Sequence, residues 1–233
     1  MRTRFAELRE QVLAANRSLA DRGLAPFTFG NASGIDRAAG AVVIKPSGVK
    51  YHAITPEDLV VVDLDGGVIE GARRPSSDLP THLVLYRAFK SIGGVAHAHS
   101  HYATVFAQAG REIPCFGTTH ADHFNGAVPI VPFLRESEVA GEYEANTGHA
   151  IVRRFGGMDP LATPAALLAG HAPFAWGASP DAAVETMALL EKVARLAFDT
   201  LALERSVAEL PDHLRVKHFS RKHGPSAYYG QPR

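Results

Sequence analysis

Two histidines one residue apart, His97 and His99, sit in the apolar run GGVAHAHS. On a β-strand, side chains two apart share a face, so both imidazoles can reach one divalent ion without distorting the backbone. The alternative is a pair of hydrogen-bonded histidines at a strand end. His171, in the Gly-flanked segment LAGHAPFAWG, is open to the same two readings, a ligand or a satisfied core residue. Asp78, in PSSDLP, is the carboxylate that turns three imidazoles into a tetrahedral or expandable zinc site. It is equally placed to cap the helix that Pro80 opens. Ser76 and Ser77 offer hydroxyl and backbone N–H groups where a helix dipole attracts an anion such as phosphate. A related element, Lys45-Pro46-Ser47-Gly48, joins a cation to a glycine that lets the backbone approach a ligand. Together the two elements point to a phosphorylated substrate. Proton transfer has two candidate locations: the polar cluster Thr118 to His123, which holds Asp122, and the tail from His218 to His223 that ends in Tyr228-Tyr229. Such a tail does chemistry only when docked, for instance against a neighbouring subunit.

The elements that must position these groups are partly written in local pattern. Phe5, Leu8, Val12, Ala15 and Leu19 recur at helical spacing and end near Gly23. Val42-Lys45, Leu59-Val62 and Val68-Ile69 read as strands, the last two joined by the hairpin turn Asp65-Gly66-Gly67. Pro80–Phe89 reads as a helix, Gly94–His99 as a buried strand and Tyr102–Gln108 as a helix closed by Gly110. Glu136–Phe155 reads as one continuous helix on Val139, Tyr143, Thr147, Ala150 and Ile151. Strands follow around Leu167 and Phe174, and Ser179-Pro180 opens the longest helix, with Ser at the cap and Pro in the first turn. With no repeat and no linker, residues 1–233 are expected to form a single domain that mixes α and β.

Composition narrows the class. In 233 residues, 24 Lys+Arg cancel 24 Asp+Glu, leaving no positive excess to drive nucleic-acid binding. No apolar run approaches a membrane span, and the charged N-terminal segment lacks the core of a secretory signal. Cys115 is the sole cysteine, which excludes an internal disulfide and fits a cytoplasmic location.

KPSGV, PSSDLPTH, HAHSHYAT, GTTHAD, HAPFAWG and the closing RKHGPSAYYGQ, in this order, resemble the class II aldolase/adducin family, in particular its L-ribulose-5-phosphate 4-epimerases. The resemblance runs from about Leu8 to Gln231. It implies an α/β fold of three layers, a central, largely antiparallel sheet flanked by helices, and a homotetramer with active sites at subunit interfaces. It also implies Asp78, His97, His99 and His171 as ligands of Zn2+, or of another divalent ion such as Mn2+ or Co2+. Gly30, Asn31, Ser47, Gly48, Ser76 and Ser77, with Lys45 nearby, would bind the sugar phosphate. Asp122 and Tyr229 would be the acid/base pair, brought by the adjacent subunit, with His218 and Arg221 in the same tail. The implied reaction inverts C4 of L-ribulose 5-phosphate by retro-aldol opening of C3–C4, as in arabinose catabolism or a related ascorbate or xylulose route. The alternative is a fuculose-phosphate aldolase-like lyase, but aldolases of the family carry Glu where this chain has Asp78. A phosphoester hydrolase and a non-catalytic adducin-like protein are further alternatives; the second expects degraded ligands. Two positions depart from the family pattern: Ala169 stands where a histidine is common, and His123 where an aromatic is expected.

Overall fold

The computed structural model describes residues 4–224 and 227–229, so Pro225, Ser226, Gly230 and Gln231 of the tail motif lie outside it. An amphipathic helix, α1 (Ala6–Asp21), precedes four strands: β1 (Asn31–Asp36), β2 (Ala41–Ile44), β3 (Val60–Asp63) and β4 (Val68–Glu70). Helix α2 (Leu79–Ala88) leads to β5 (Gly94–His97), and α3 (His101–Gln108) to a short α4 (Thr118–Ala121) and β6 (Ile130–Val131). Then come α5 (Glu136–Ala140), α6 (Tyr143–Arg154), β7 (Ala165–Leu168), β8 (Pro173–Gly177), α7 (Pro180–Leu203) and α8 (Asp212–Lys222).

All eight strands form one sheet in the order β4-β3-β2-β1-β5-β8-β7-β6. Every pairing is antiparallel except β6 with β7. Alternation of side chains across the pleat then sorts the core. On one face Ala32, Ala96 and Ala175 pack under α1, α3 and α7. On the other, Ile35, Val95, Phe174 and Trp176 pack under α2 and α6. The expected three layers are present. Small residues dominate the α7 face because β5 and β8 run directly beneath that helix.

Two elements depart from the sequence pattern. The expected helix over 136–155 is two helices, parted at Gly141-Glu142, where Gly141 has left helical angles (φ −95°, ψ −133°). Glycine loses most from being held in a helix, and here it lets the chain turn so that α6 alone reaches the sheet. Strand β5 also stops at His97, two residues short of His99. Distant side chains lock the helices that flank the site. Arg37 donates to the carbonyls of Tyr86, Phe89 and Ile92 at 2.8–2.9 Å, satisfying the C-terminal end of α2. Glu191, from α7, accepts from the N–H groups of Tyr102 and Ala103 at 2.9 and 3.0 Å, holding the first turn of α3.

Candidate active site

His97, at the end of β5, faces His171, in the turn between β7 and β8, and His99, just past the strand. Their rings form a near-equilateral triangle with centroids 5.0–5.1 Å apart. One nitrogen from each lies within 4.8 Å of the others, a spacing that can hold a metal ion. His97 and His99 thus converge as the strand argument expects but by a different route, since His99 is placed by the loop leading into α3. Gly30 makes the close approach possible. It has φ +83°, and a Cβ there would lie 2.4 Å from the His97 carbonyl oxygen.

The imidazoles are prepared for a cation. His97 stacks on Phe174 at 4.2 Å, and its Nδ1 lies 2.9 Å from the Pro173 carbonyl. That contact makes Nδ1 the N–H donor and leaves Nε2 as a lone pair for the triangle. Burial pushes the His97 pKa down to about 4, with Asp78 opposing the shift, so the ring is neutral near pH 7. Burial also lowers His99 and His171. Nδ1 of His171 is buried with no hydrogen-bond partner, as a nitrogen that awaits a ligand would be.

Asp78 lies at the start of α2, but its side chain makes no cap hydrogen bond. The capping alternative therefore does not hold. Its Oδ2 instead accepts from Asn31 Nδ2 at 2.6 Å, and the same amide donates to Ser76 Oγ at 3.0 Å. Burial works against the carboxylate charge, but His97, His82, the Asn31 amide and His171 outweigh it and hold Asp78 below the usual carboxylate range. Asp78 lines the same cavity as the triangle, although the tight group of nitrogens consists of the three histidines alone.

That cavity, about 320 Å3, is lined by all four expected ligands and by Gly30, Asn31, Lys45, Ser47, Gly48, Ser76 and Ser77. The two lips named for phosphate are joined backbone to backbone. Ser76 N–H donates to the Lys45 carbonyl at 2.9 Å, Ser47 N–H donates to the Arg74 carbonyl at 3.0 Å, and Pro46 bridges Pro75. Lys45 is 2% exposed, with its ammonium 3.3 Å from the Pro46 carbonyl and 5.0 Å from the Tyr51 ring centre. It forms no ion pair among the described residues. Burial lowers its pKa, with Asp78 opposing, so an arriving anion would meet a poorly solvated cation.

Asp122 and Tyr229 lie elsewhere and line no part of this cavity. Helix α8 packs on α4 and delivers Arg221 to Asp122 in a two-pronged contact, 2.9 and 2.5 Å, while His218 Nδ1 reaches the same carboxylate at 3.0 Å. Burial raises the Asp122 pKa, but Arg221, His218 and Lys222 outweigh it and the net shift is down. The Tyr229 ring covers Arg221 and Lys222 at 4.9 and 4.5 Å and is 60% exposed. The unexpected His123 has a partner of its own: Lys222 Nζ lies 3.4 Å from its Nε2.

Sequence reasoning missed Thr28 and Phe29 at the cavity rim, and Tyr51, whose hydroxyl lies 2.7 and 2.8 Å from the Phe29 and Gly30 carbonyls. It also missed His82, wholly buried beneath Asp78. Its signal was available: Asp78, His82 and Tyr86 recur every fourth residue on an otherwise apolar helix face.

Comparison with known proteins places the chain in a family. The chain matches the family described as Class II Aldolase and Adducin N-terminal domain over residues 10–198. It is 51% identical over 225 residues to L-ribulose-5-phosphate 4-epimerase UlaF of Salmonella paratyphi B, covering 97% of this chain and 99% of that one. The protein of the same name from Salmonella typhi matches to the same extent. Among solved structures, an L-fuculose 1-phosphate aldolase superposes with a TM-score of 0.78 at 26% identity, over 91% of this chain and 94% of that one. YgbL from Klebsiella pneumoniae superposes at 0.73 with 29% identity, over 91% and 97%. The chain belongs to the class II aldolase and adducin family.

Proposed function

We propose that this chain is a divalent-metal-dependent epimerase that converts L-ribulose 5-phosphate to D-xylulose 5-phosphate. The observation that carries the reading is one cavity combining a three-histidine triangle, an aspartate at position 78 and a buried Lys45, without an ion-pair partner among the described residues, behind two serine lips. The relatives named L-ribulose-5-phosphate 4-epimerase, at 51% identity over nearly the whole chain, support it.

On this reading Asp78, His97, His99 and His171 hold the ion. An N3O donor set suits Zn2+, with Mn2+ and Co2+ as alternatives, and the bound ion supplies Lewis acidity for the substrate's oxygens. Ser47, Gly48, Ser76 and Ser77, with Lys45 as point charge and Gly30 and Asn31 in the same wall, form the phosphate and substrate contacts. C4 carries no acidic hydrogen because it is not adjacent to the carbonyl, so inversion requires opening C3–C4. A base takes the C4 hydroxyl proton, and the C3–C4 electron pair moves onto the dihydroxyacetone fragment. The glycolaldehyde phosphate then turns and is re-added through its other face, and an acid returns the proton. Two groups on opposite faces suit this exchange, and we assign Asp122 and Tyr229 to it. Because both lie off the cavity of their own chain, they are assigned to the cavity of a neighbouring copy in a homotetramer, where Arg221 and His218 order them.

The test is incubation of metal-loaded protein with L-ribulose 5-phosphate, following D-xylulose 5-phosphate in a coupled assay and free dihydroxyacetone in the same samples. Epimer without free fragments is expected. Accumulating fragments would instead make it a class II sugar-phosphate aldolase, and no turnover would refute both.

A further inference from the structure

Beneath the metal pocket runs a seam of polar side chains between β1 and α2. Asn31 and Ser33 lie on one face of β1, on the rungs of His97 and Val95. Opposite them, Asp78, His82 and Tyr86 recur at four-residue intervals along α2. Two strand residues rise about 6.7 Å and four helical residues about 6 Å, so the polar positions of strand and helix stay in register. Asn31 meets Asp78, and Ser33 meets both His82 Nδ1 (2.7 Å) and the Tyr86 hydroxyl (2.8 Å). His82, Ser33 and Tyr86 are each 0% exposed.

Two atoms of this seam are buried and have no hydrogen-bond partner: Asn31 Oδ1 and His82 Nε2. Leaving such groups unmatched is costly; an amide oxygen accepts and an imidazole Nε2–H donates, but the two make no hydrogen bond to each other in this structure. Either hydroxyl can donate in the Ser33–Tyr86 contact, and the Ser33–His82 contact admits either imidazole tautomer. With Tyr86 donating to Ser33 and Ser33 donating to His82 Nδ1, the His82 proton sits on Nε2, the nitrogen remote from Ser33. His82 also packs edge-on against Phe174 at 5.9 Å, the ring on which His97 stacks at 4.2 Å. It therefore touches the support of one proposed ligand while standing one helical turn below another.

We propose that His82 is a positioning residue of the metal pocket: anchored by Ser33 and Tyr86, it presents its Nε2–H to the Asn31–Asp78 pair and fixes the carboxylate toward the histidine triangle. The inference rests on the metal reading of that pocket and deepens it. Partners that orient a ligand typically change metal affinity about 10- to 100-fold when removed.

The experiment titrates Zn2+ into the full chain against a chromophoric chelator, beside thermal unfolding of the metal-free protein. His82→Asn keeps an amide near Nδ1 but removes Nε2; its affinity should fall about 10- to 100-fold. His82→Gln places an amide near Nε2 and should recover most of the loss. Should His82→Asn not fold, Tyr86→Phe removes one hydroxyl from the far end of the chain and should weaken Zn2+ several-fold. Nitrogen-15 shifts of the wild-type ring should report the Nε2–H form. An Nδ1–H ring, or affinities equal to wild type in the folded variants, would overturn the inference while the metal reading stands. A wild-type chain that binds no Zn2+ would overturn both.

Discussion

Gly30→Ala tests whether the histidine triangle depends on the close contact of β1 with β5. Two effects act at this position. The backbone is left-handed at φ +83°, which costs an alanine about 1–2 kcal/mol. The new Cβ would also lie 2.4 Å from the His97 carbonyl oxygen and 3.0 Å from the Ala98 Cα. Both obstacles are backbone, so no rotamer change relieves them. The strands must part by roughly 1 Å at the Asn31–His97 rung, and such overpacking costs about 1–3 kcal/mol. Gly40→Ala supplies the control. That residue has φ +61° with nothing within 4 Å, so it carries the left-handed cost alone. For a chain of this size 1 kcal/mol moves Tm by about 2–4 °C. Gly40→Ala should therefore lower Tm by a few degrees, and Gly30→Ala by roughly 5–15 °C, as read by thermal denaturation of the metal-free proteins. Because the displaced atom belongs to His97, Gly30→Ala should also bind Zn2+ more weakly while Gly40→Ala does not. Equal Tm and equal metal affinity in the two variants would refute the reasoning.

Three other outcomes are expected. His97→Asn should lose most bound metal by elemental analysis; full occupancy would remove His97 from the ligand set. Tyr229→Phe keeps the ring over Arg221 and Lys222 and loses only the hydroxyl, so Tm should hold while turnover of L-ribulose 5-phosphate falls about 10²–10⁴-fold, the usual worth of a proton-transfer group. Acid should destabilise the metal-free chain between pH 6.5 and 4. Burial lowers His82 to about 3 and His97 and His120 to about 4, so in that window the unfolded chain takes up protons that the folded chain refuses. Stability is then full above pH 6.5 and falls with decreasing pH by about 1.4 kcal/mol per unit for each such histidine. A flat stability profile by urea titration across this range would contradict the burial of these rings.

Elements with strong local signals were legible in the sequence. Helix α7 begins at Ser179-Pro180, with Ser179 Oγ accepting from the Ala182 N–H at 3.1 Å, as capping rules require. Helix α1 and strands β2, β3, β5, β7 and β8 follow apolar periodicity. Strand β1, NASGID, was not legible because Asn, Ser, Gly and Asp are poor strand formers. Its state comes from pairing with β2 on one side and β5 on the other. The tail helix α8 was hidden for a related reason: it buries no residue fully and is held by polar contacts to Asp122, 96 to 101 positions earlier. The resemblance carried by motif order named eleven of the thirteen residues that line the cavity, all but Thr28 and Phe29. The supports did not show, because Arg37, Glu191 and His82 take their roles only from partners that the fold brings to them.

On the proposed reading, the separation of Asp122 from the histidine triangle reflects a physical division between the two polar clusters. A metal pocket needs neutral imidazoles and a dry, rigid floor, which the centre of a sheet covered on both faces provides. A proton-transfer pair needs access to the substrate from the open side and some freedom to exchange protons. Helix α8 buries no residue fully and is held by polar contacts to Asp122, His123 and Asn125. Within one chain the anchor also occupies both Asp122 oxygens, through Arg221 and His218, and leaves Tyr229 exposed on top of the cations. On the proposed reading, a second copy covers it with its own cavity, so only the assembled protein places metal, phosphate lips and proton-transfer groups around one substrate. The assembly seen in sedimentation and the turnover should then be lost together when α8 is removed, while Zn2+ affinity, assigned to the end of β5, the β7–β8 turn and the start of α2, persists.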